Sequence, residues 1–331
     1  QVQIGVQQKF PFPGKLGLRS LEKEHQAKIA SIKVDEIRNQ LEAKVKHQWW
    51  QLFYLDRSIG TVKRNQALLR QFVGIAQTKY KVGQGLQQDV LLAQLELSKL
   101  LERDVSLKGL RKSTEGRLNA LLDRPIGQGV TLPNKVKVDV PFVRGIGELQ
   151  VLSNKHRPLL SMAQTQIDVA QSRLSYSRKD RYPDFTAGMQ YAQRDGRSDL
   201  FSIKFGVSLP IYSNNKQSQK ILQSSTELSE GKQRFSDEQA KVNAEITSVL
   251  ASYQSSREQM LLLENGIIPQ AKQTVDSMLA GYEVNKVDFL NLIRVQVTLS
   301  DYEMKYWKKL SQLKQAAAML EAIVGTGNIY E

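Results

Sequence analysis

The chain has 331 residues, 40% of them hydrophobic and 24% charged, with a formal net charge of +14 and no cysteine. Without cysteine there is no disulfide, thiolate metal site or Cys nucleophile, and no window approaches the roughly 18 to 20 consecutive apolar residues of a membrane-spanning helix. A membrane reading therefore requires a closed β-barrel, the other structure that satisfies every backbone polar group in lipid.

The first element is a short stretch of strict alternation, in which Val2, Ile4 and Val6 are interleaved with Gln3, Gly5 and Gln7. Alternation puts all the apolar side chains on one face of a strand. Pro11 and Pro13 close it, and from Leu16 to Tyr80 there is no proline. At 1.5 Å per residue, about 65 helical residues would reach roughly 100 Å, a length few globular domains use. A second proline-free span runs from Asp89 to Asp123. Residues 124–147, with Pro125, Pro133, Pro141 and several glycines, break the helices and read as an irregular linker.

After a helical stretch over 148–181, Pro183 opens a second alternating run, with Phe185, Ala187, Met189 and Tyr191 opposing Thr186, Gly188 and Gln190. In the third run Phe201, Ile203, Phe205, Val207 and Leu209 oppose Ser202, Lys204, Gly206 and Ser208, and Pro210 ends it. Asp195-Gly196 between them is a good hairpin turn. Each run is about ten residues long, enough for a tilted strand to cross a bilayer. In that setting Thr186, Gln190, Ser202 and Lys204 face a water-filled lumen, while Tyr182, Tyr191, Phe201 and Tyr212 stand near the interfaces.

The remaining spans, 213–268 and 288–324, read as helix with coiled-coil seams. Ile246, Val249, Tyr253, Ser256, Met260, Leu263 and Ile267 alternate three and four apart. So do Val295, Leu299, Tyr302, Tyr306, Lys309, Leu313, Ala316, Leu320 and Ile323, with one lysine break. Narrow stripes of this kind build bundles or tubes. Trp49 and Trp50 are expected to pack in such a seam.

The same unit occurs twice. Tyr80-Lys81-Val82-Gly83 and Tyr282-Glu283-Val284-Asn285 are offset by 202 positions, as are the helix starts at Asp89 and Asn291. Each unit reads strand, proline, long helix, tight turn, long helix. The second has a full hairpin ahead of its long helix, so symmetry places a further strand and helix ahead of Gln1.

The turn YKVGQGLQQDVLLAQ (80–94) with its echo YEVNKVDFLNLIRVQ (282–296), and RYPDFTAGMQYAQ (181–193) with FGVSLPIYSNNK (205–216), resemble the TolC-like outer-membrane factor family over essentially the whole chain. FPFPGKL (10–16) is similar to members that serve heavy-metal efflux. The resemblance implies a mainly α protein with a membrane β-barrel: a homotrimer whose long coiled-coil helices form an α-barrel under a shared twelve-stranded barrel. Each protomer gives four strands, three of them present here and the fourth ahead of Gln1 in a segment that in the family can carry a lipidated cysteine. The implied domains are barrel strands at 1–10 and 183–210, a first helical repeat at 15–123, an equatorial linker at 124–147, and a second helical repeat at 148–181 and 213–325.

The same resemblance implies an outer-membrane location with a large periplasmic extension. It also implies a passive efflux or type I secretion duct that opens at its periplasmic tip on docking to an adaptor protein and an inner-membrane pump. The adaptor-docking tips fall on Tyr80, Val82, Gly83, Gly85, Tyr282, Val284, Asn285 and Lys286. Family members carry acids just inside the second turn, and the matching positions here are Asn291 and Arg294. Asp89 keeps the acid in the first repeat, Leu92 takes the other position, and Asp288 stands one turn earlier. The gate set is therefore Asp89, Asp288, Asn291 and Arg294, and a ring of three Arg294 side chains would raise the local potential.

No phosphate loop, nucleophile elbow or metal cluster occurs, and His25, His47 and His156 have no ligand spacing, so no enzyme, cofactor or metal is expected. Lys and Arg are spread along nearly every segment and form no basic stripe with stacking aromatics, so nucleic acid is not an expected partner. A coiled-coil structural or adaptor protein of the cell envelope is the alternative, but an adaptor needs a single helical hairpin and a lipoyl-like domain.

Overall fold

The computed structural model describes residues 2–133, 136 and 139–330. Gln1 of the expected first strand and residues 134, 135, 137 and 138 of the expected linker lie outside the described residues. In chain order the elements are β1 (Val2–Phe10), α1 (Lys15–Lys81), α2 (Gln87–Leu121), α3 (Ile146–His156), α4 (Pro158–Lys179), β2 (Asp184–Gln193), β3 (Leu200–Ser208), α5 (Ser218–Leu262), α6 (Ile268–Glu283) and α7 (Phe289–Val324). A π-helical turn, Leu263–Ile267, joins α5 to α6, and another, Ser213–Gln217, leads into α5. No described helix is long and apolar enough to cross a membrane.

Two compact units divide the chain. The first comprises Gln1–Ile37 and Asn154–Asn243. Its sheet has the order β1-β2-β3, with both pairs antiparallel. The register sets Ile4 beside Tyr191 beside Phe201, and Val6 beside Met189 beside Ile203, so the apolar alternation falls on one face of all three strands. Under the sheet, Lys15 is 3% exposed, and its ammonium donates to the Tyr182 carbonyl at 2.9 Å and to Asp184 Oδ1 at 2.8 Å. The same carboxylate accepts from the Phe12 amide at 3.0 Å and pairs with Lys9 at 3.1 Å, while Phe12 stacks on Tyr182. These contacts tie the start of α1 to the start of β2. Below them Ala170, Leu174 and Leu228 form a small core between α4 and α5, and Arg157 meets Glu36 in a buried pair at 3.1 Å.

The second unit comprises Arg38–Ser153 and Ala244–Glu331. One of its cores gathers Leu55, Ile59, Val62, Leu107 and Met304, and another lies at the helix turns. Trp49 and Trp50 are half-buried and in edge contact with each other; Trp49 stacks on Phe53 and Trp50 meets it edge-on, and Phe53 meets Trp307 in turn. The described part of the linker is held by the Tyr253 hydroxyl donating to the Pro141 carbonyl at 2.7 Å, by Arg144 N–H to the Ile329 carbonyl at 3.0 Å, and by a bridge between Val143 and Tyr330.

The seam expected on α5 has Ile246, Tyr253, Ser256, Met260 and Leu263 buried. On α7 the buried stripe is wider than a 3-4 seam. Leu292, Gln296, Ser300, Met304, Leu310 and Ala317 are buried beside Leu299, Leu313 and Leu320, while Tyr302, Tyr306 and Lys309 lie at its flank. The reason is packing against several neighbours: α7 touches both α6 and α2, and its Ser311 hydroxyl reaches the Trp50 carbonyl of α1. A helix with several partners buries more than a narrow stripe.

Candidate functional site

The two helix turns of the second unit are the site the repeat singled out. The first turn ends α1 with Gly83 in the left-handed region (φ +73°), its N–H donating to the Tyr80 carbonyl at 3.1 Å and Gln84 N–H to the Lys79 carbonyl at 2.9 Å. The second ends α6 with Asn285 at φ +62°, its N–H donating to the Tyr282 carbonyl at 3.1 Å and Lys286 N–H to the Gly281 carbonyl at 2.8 Å. Both are helix C-caps closed by a left-handed residue, which Gly and Asn tolerate best. The hydrogen bonds sit at matching positions, so the internal repeat is also a repeat of backbone geometry.

The side chains break that symmetry. Tyr80 is 48% exposed, whereas Tyr282 is 5% exposed and packs on Phe289 at 4.9 Å between ring centres. Around Tyr282 lie Leu69, Phe72, Ala76, Ala93, Leu292 and Ile293, the core that joins α1, α2, α6 and α7. No well-aligned hydrogen bond reaches the Tyr282 hydroxyl, but the Asp89 carboxylate is close enough to act on it. Burial, followed by the negative charge of Asp89, pushes the phenol up to about 12. Asp89 is itself buried, and burial raises its carboxyl above the ordinary value, with the charge of Asp288 adding to the effect.

Of the expected gate set, Asp89 is thus turned into the core beside Tyr282, while Asp288, Asn291 and Arg294 are exposed. Of the expected docking residues, Val82, Gly83, Val284, Asn285 and Lys286 are exposed with Tyr80, and Gly85 is half-buried. The sequence reading missed Lys79. Its side chain is 9% exposed and its ammonium reaches the Tyr282 carbonyl at 2.5 Å, the Glu283 carbonyl at 3.1 Å and Asn285 Oδ1 at 2.6 Å. The only signal available was a lysine one residue before the tyrosine of the first turn, and nothing local distinguishes it from a solvated cation.

The sheet carries the other expected set. Gln190 Nε2 donates to Gln3 at 2.8 Å, Lys204 Nζ donates to Gln190 Oε1 at 2.6 Å, and Thr186 Oγ1 donates to the Gly206 carbonyl at 3.3 Å. Ser202 pairs with Gln190 in the register, so all four expected lumen residues share one polar face. The opposite face is bare: Val6 is 72% and Phe205 83% exposed, and Val2, Ile4, Ile203 and Val207 are exposed with them. A contiguous apolar face of this kind marks a surface buried against something else.

A small sheet with an uncovered apolar face, set on long paired helices, defines the class: the fold of outer-membrane channels. The structure superposes on VceC from Vibrio cholerae with a TM-score of 0.86 at 16% identity, covering 98% of this chain and 79% of that one. Against the open state of the MtrE channel of Neisseria gonorrhoeae the TM-score is 0.81 at 12% identity, covering 98% and 80%. The cobalt-zinc-cadmium resistance protein CzcC of Cupriavidus metallidurans is 21% identical over 171 residues, 52% of this chain and 41% of the relative. The chain thus spans about two fifths of the length of that relative. Residues 150–326 match the outer membrane efflux protein model, and the chain belongs to that family.

Proposed function

We propose that the chain is one subunit of a homotrimeric outer-membrane duct that carries cargo passively from the periplasm to the outside. It has no enzymatic role in this reading. It docks through its helix turns to a periplasmic adaptor and, with it, to an inner-membrane pump. The observation that carries this reading is the sheet. Its three strands are in register with one polar and one bare apolar face, and each is about the length that crosses a tilted barrel wall.

Assembly with further copies is supported by two helix stripes that none of the described residues covers. On α1, Ala27, Ala30, Val34 and Ile37 follow 3-4 spacing and are all exposed. On α2, Leu91, Leu95, Leu101 and Val105 are likewise exposed. Seams of this spacing bury themselves against other helices. The division of labour in this reading is that the apolar face of the strands meets lipid, their polar face lines water, and the helices extend into the periplasm. The likeness to a metal-resistance relative and the FPFPGKL segment make divalent metal ions the first cargo class to test, supplied by whichever pump docks.

Electron microscopy of the detergent-extracted, full-length protein tests the architecture. A three-fold tube well over 100 Å long, as helices of this size require, with a detergent belt at one end, is the expected result. A beltless rod, or a particle soluble without detergent, would sink the duct and favour the envelope tether.

A further inference from the structure

The two ends of the sheet differ in charge. At the hairpin end, residues 193–200 hold Arg194 and Arg197 against Asp195 and Asp199. At the helix end, residues 9–19, 178–184 and 208–220 hold eight lysines and arginines against two aspartates. Both of those aspartates are occupied. Asp184 meets Lys9 and Lys15, and Asp180 meets Lys220 at 3.0 Å and Lys15 at 3.7 Å. Arg178, Arg181 and Lys216 are exposed, and among the described residues no carboxylate meets them.

Two of these cations have a defined place below the apolar face. Phe10, Phe185 and Val207 pair across the three strands as the last exposed apolar row on the helix side. Ahead of Phe185 come exposed Tyr182 and then Arg181. Beyond Val207 come Ile211 and Tyr212, 84% and 71% exposed, and then Lys216, whose N–H donates to the Tyr212 carbonyl at 2.9 Å. Leading away from the sheet, both segments therefore run apolar row, phenol, cation. That is the order in which acyl chains, interface and headgroup follow one another out of a leaflet. Arg181 Nη2 donates to Ser218 Oγ at 3.0 Å, which carries the guanidinium to the start of α5, two residues from Lys216. That bond uses one of five N–H donors, and the planar fork suits the two free oxygens of a phosphodiester.

We propose that Arg181 and Lys216 bind the phosphate of an anionic phospholipid in the leaflet on the helix side, with Ile211 and Tyr212 set against its glycerol and first acyl carbons. The inference rests on the duct reading, which puts the apolar face of the sheet in lipid. Charge complementarity selects the occupant: the site has cations and no acid, so a headgroup with net negative charge is favoured over a zwitterionic one. The hairpin end, where two arginines stand with two aspartates, has no such preference.

The test mixes the full-length protein, assembled in detergent, with equal amounts of phosphatidylglycerol and phosphatidylcholine of the same acyl chains. Native mass spectrometry counts the lipids the assembly retains, and insertion into vesicles of the same mixture is measured alongside. The wild type is expected to insert and to retain phosphatidylglycerol roughly tenfold over phosphatidylcholine, the scale of two cations close to an anionic leaflet. Arg181→Gln with Lys216→Gln should bring that ratio to within about twofold of unity, with insertion unchanged. Arg194→Gln with Arg197→Gln removes the same charge from the hairpin end and should keep the wild-type ratio. Lys216→Gln alone should give a ratio of about three and serves if the first double variant does not assemble. A wild-type ratio in the first double variant would overturn the site, and equal losses in both would mean that only net charge is felt. Displacement of the retained phosphatidylglycerol by millimolar inorganic phosphate would overturn the lipid assignment in favour of a free anion. Loss of assembly in Lys216→Gln would overturn it in favour of pairing with another copy of the chain. Insertion of the wild type without lipid preference would sink the inference and leave the duct standing, whereas a wild type that does not insert removes both.

Discussion

Lys15 and Lys79 are lysines buried almost to the tip, and both end against backbone carbonyls of a distant segment. A buried ammonium persists only when its donors are met, and removing one partner of a buried pair costs about 3–5 kcal/mol because the other charge is left uncompensated. Lys15→Met should therefore lower stability by about 3 kcal/mol, seen as a lower midpoint for heat dissociation of the assembled protein. Lys9 shares Asp184 but is exposed, so Lys9→Ala should cost less than about 1 kcal/mol. Equal losses for the two would show that the cluster is screened by solvent.

Asp89 gives a pH dependence at the same scale. Its carboxyl is raised in the folded protein by burial and then by Asp288, so the folded state holds the proton more tightly than the unfolded chain. That stability is fully present below the unfolded value and is lost as pH rises through the raised folded one. Asp89→Asn resembles the protonated form at every pH. Thermal melts of the two proteins should nearly coincide in acid and separate towards neutrality, with Asn the more stable. A gap that is constant across the range would mean that Asp89 does not titrate in place.

At the scale of elements, the turn at Gly281 offers a paired substitution. Gly281→Ala puts a methyl group 2.5 Å from Val287 Cγ2, and overpacking of this kind costs about 1–3 kcal/mol. Val287→Ala in the same chain should restore most of the loss, because it removes the clashing carbon. Denaturant midpoints of the two single variants and the double one give the coupling directly.

The elements that the sequence made legible are those whose cause is local. Alternation over 201–208 became β3, Ile246, Tyr253, Ser256 and Met260 of the expected α5 seam are buried, and the two turns 202 positions apart close with matching caps. The features it hid depend on distant partners. The wide stripe of α7 reflects packing on α2 and α6, and Gln296 lies buried because its amide donates to Asn65 Oδ1 at 2.6 Å. The π-helical turn at Leu263–Ile267 keeps Leu263 and Ile267 on the 3-4 spacing, and its local signs are Asn265-Gly266 within it and Pro269 just beyond. Within the candidate site, the two helix turns were readable from the repeat, and the burial of Asp89 and Tyr282 was not. Their positions match those of exposed Asn291 and Tyr80, so only the asymmetric packing of the two repeats separates them.

At the scale of the whole molecule, the duct reading turns on which side of the sheet meets lipid, and two neighbouring residues decide it. Phe205 lies mid-strand, paired with Ala187, on the bare face; Lys204 pairs with Gly188 on the polar one. An arginine facing the middle of a bilayer from a barrel wall costs about 2–4 kcal/mol. In a trimer the substitution enters the wall three times, so the penalty becomes about 6–12 kcal/mol per assembly, comparable with the total stability of a typical domain. Phe205→Arg should accordingly abolish insertion into outer-membrane vesicles. Lys204→Glu changes the charge by two units at the adjacent position, yet it stays on the wet face and breaks the bond to Gln190. It should insert like the wild type and shift the reversal potential in a salt gradient towards cation preference, because a ring of carboxylates replaces a ring of ammonium groups. The opposite pattern, with Phe205→Arg inserted and Lys204→Glu excluded, would mean that the sheet is inverted and that lipid meets the polar face. Insertion of both with no change in selectivity would remove the sheet from the pore altogether.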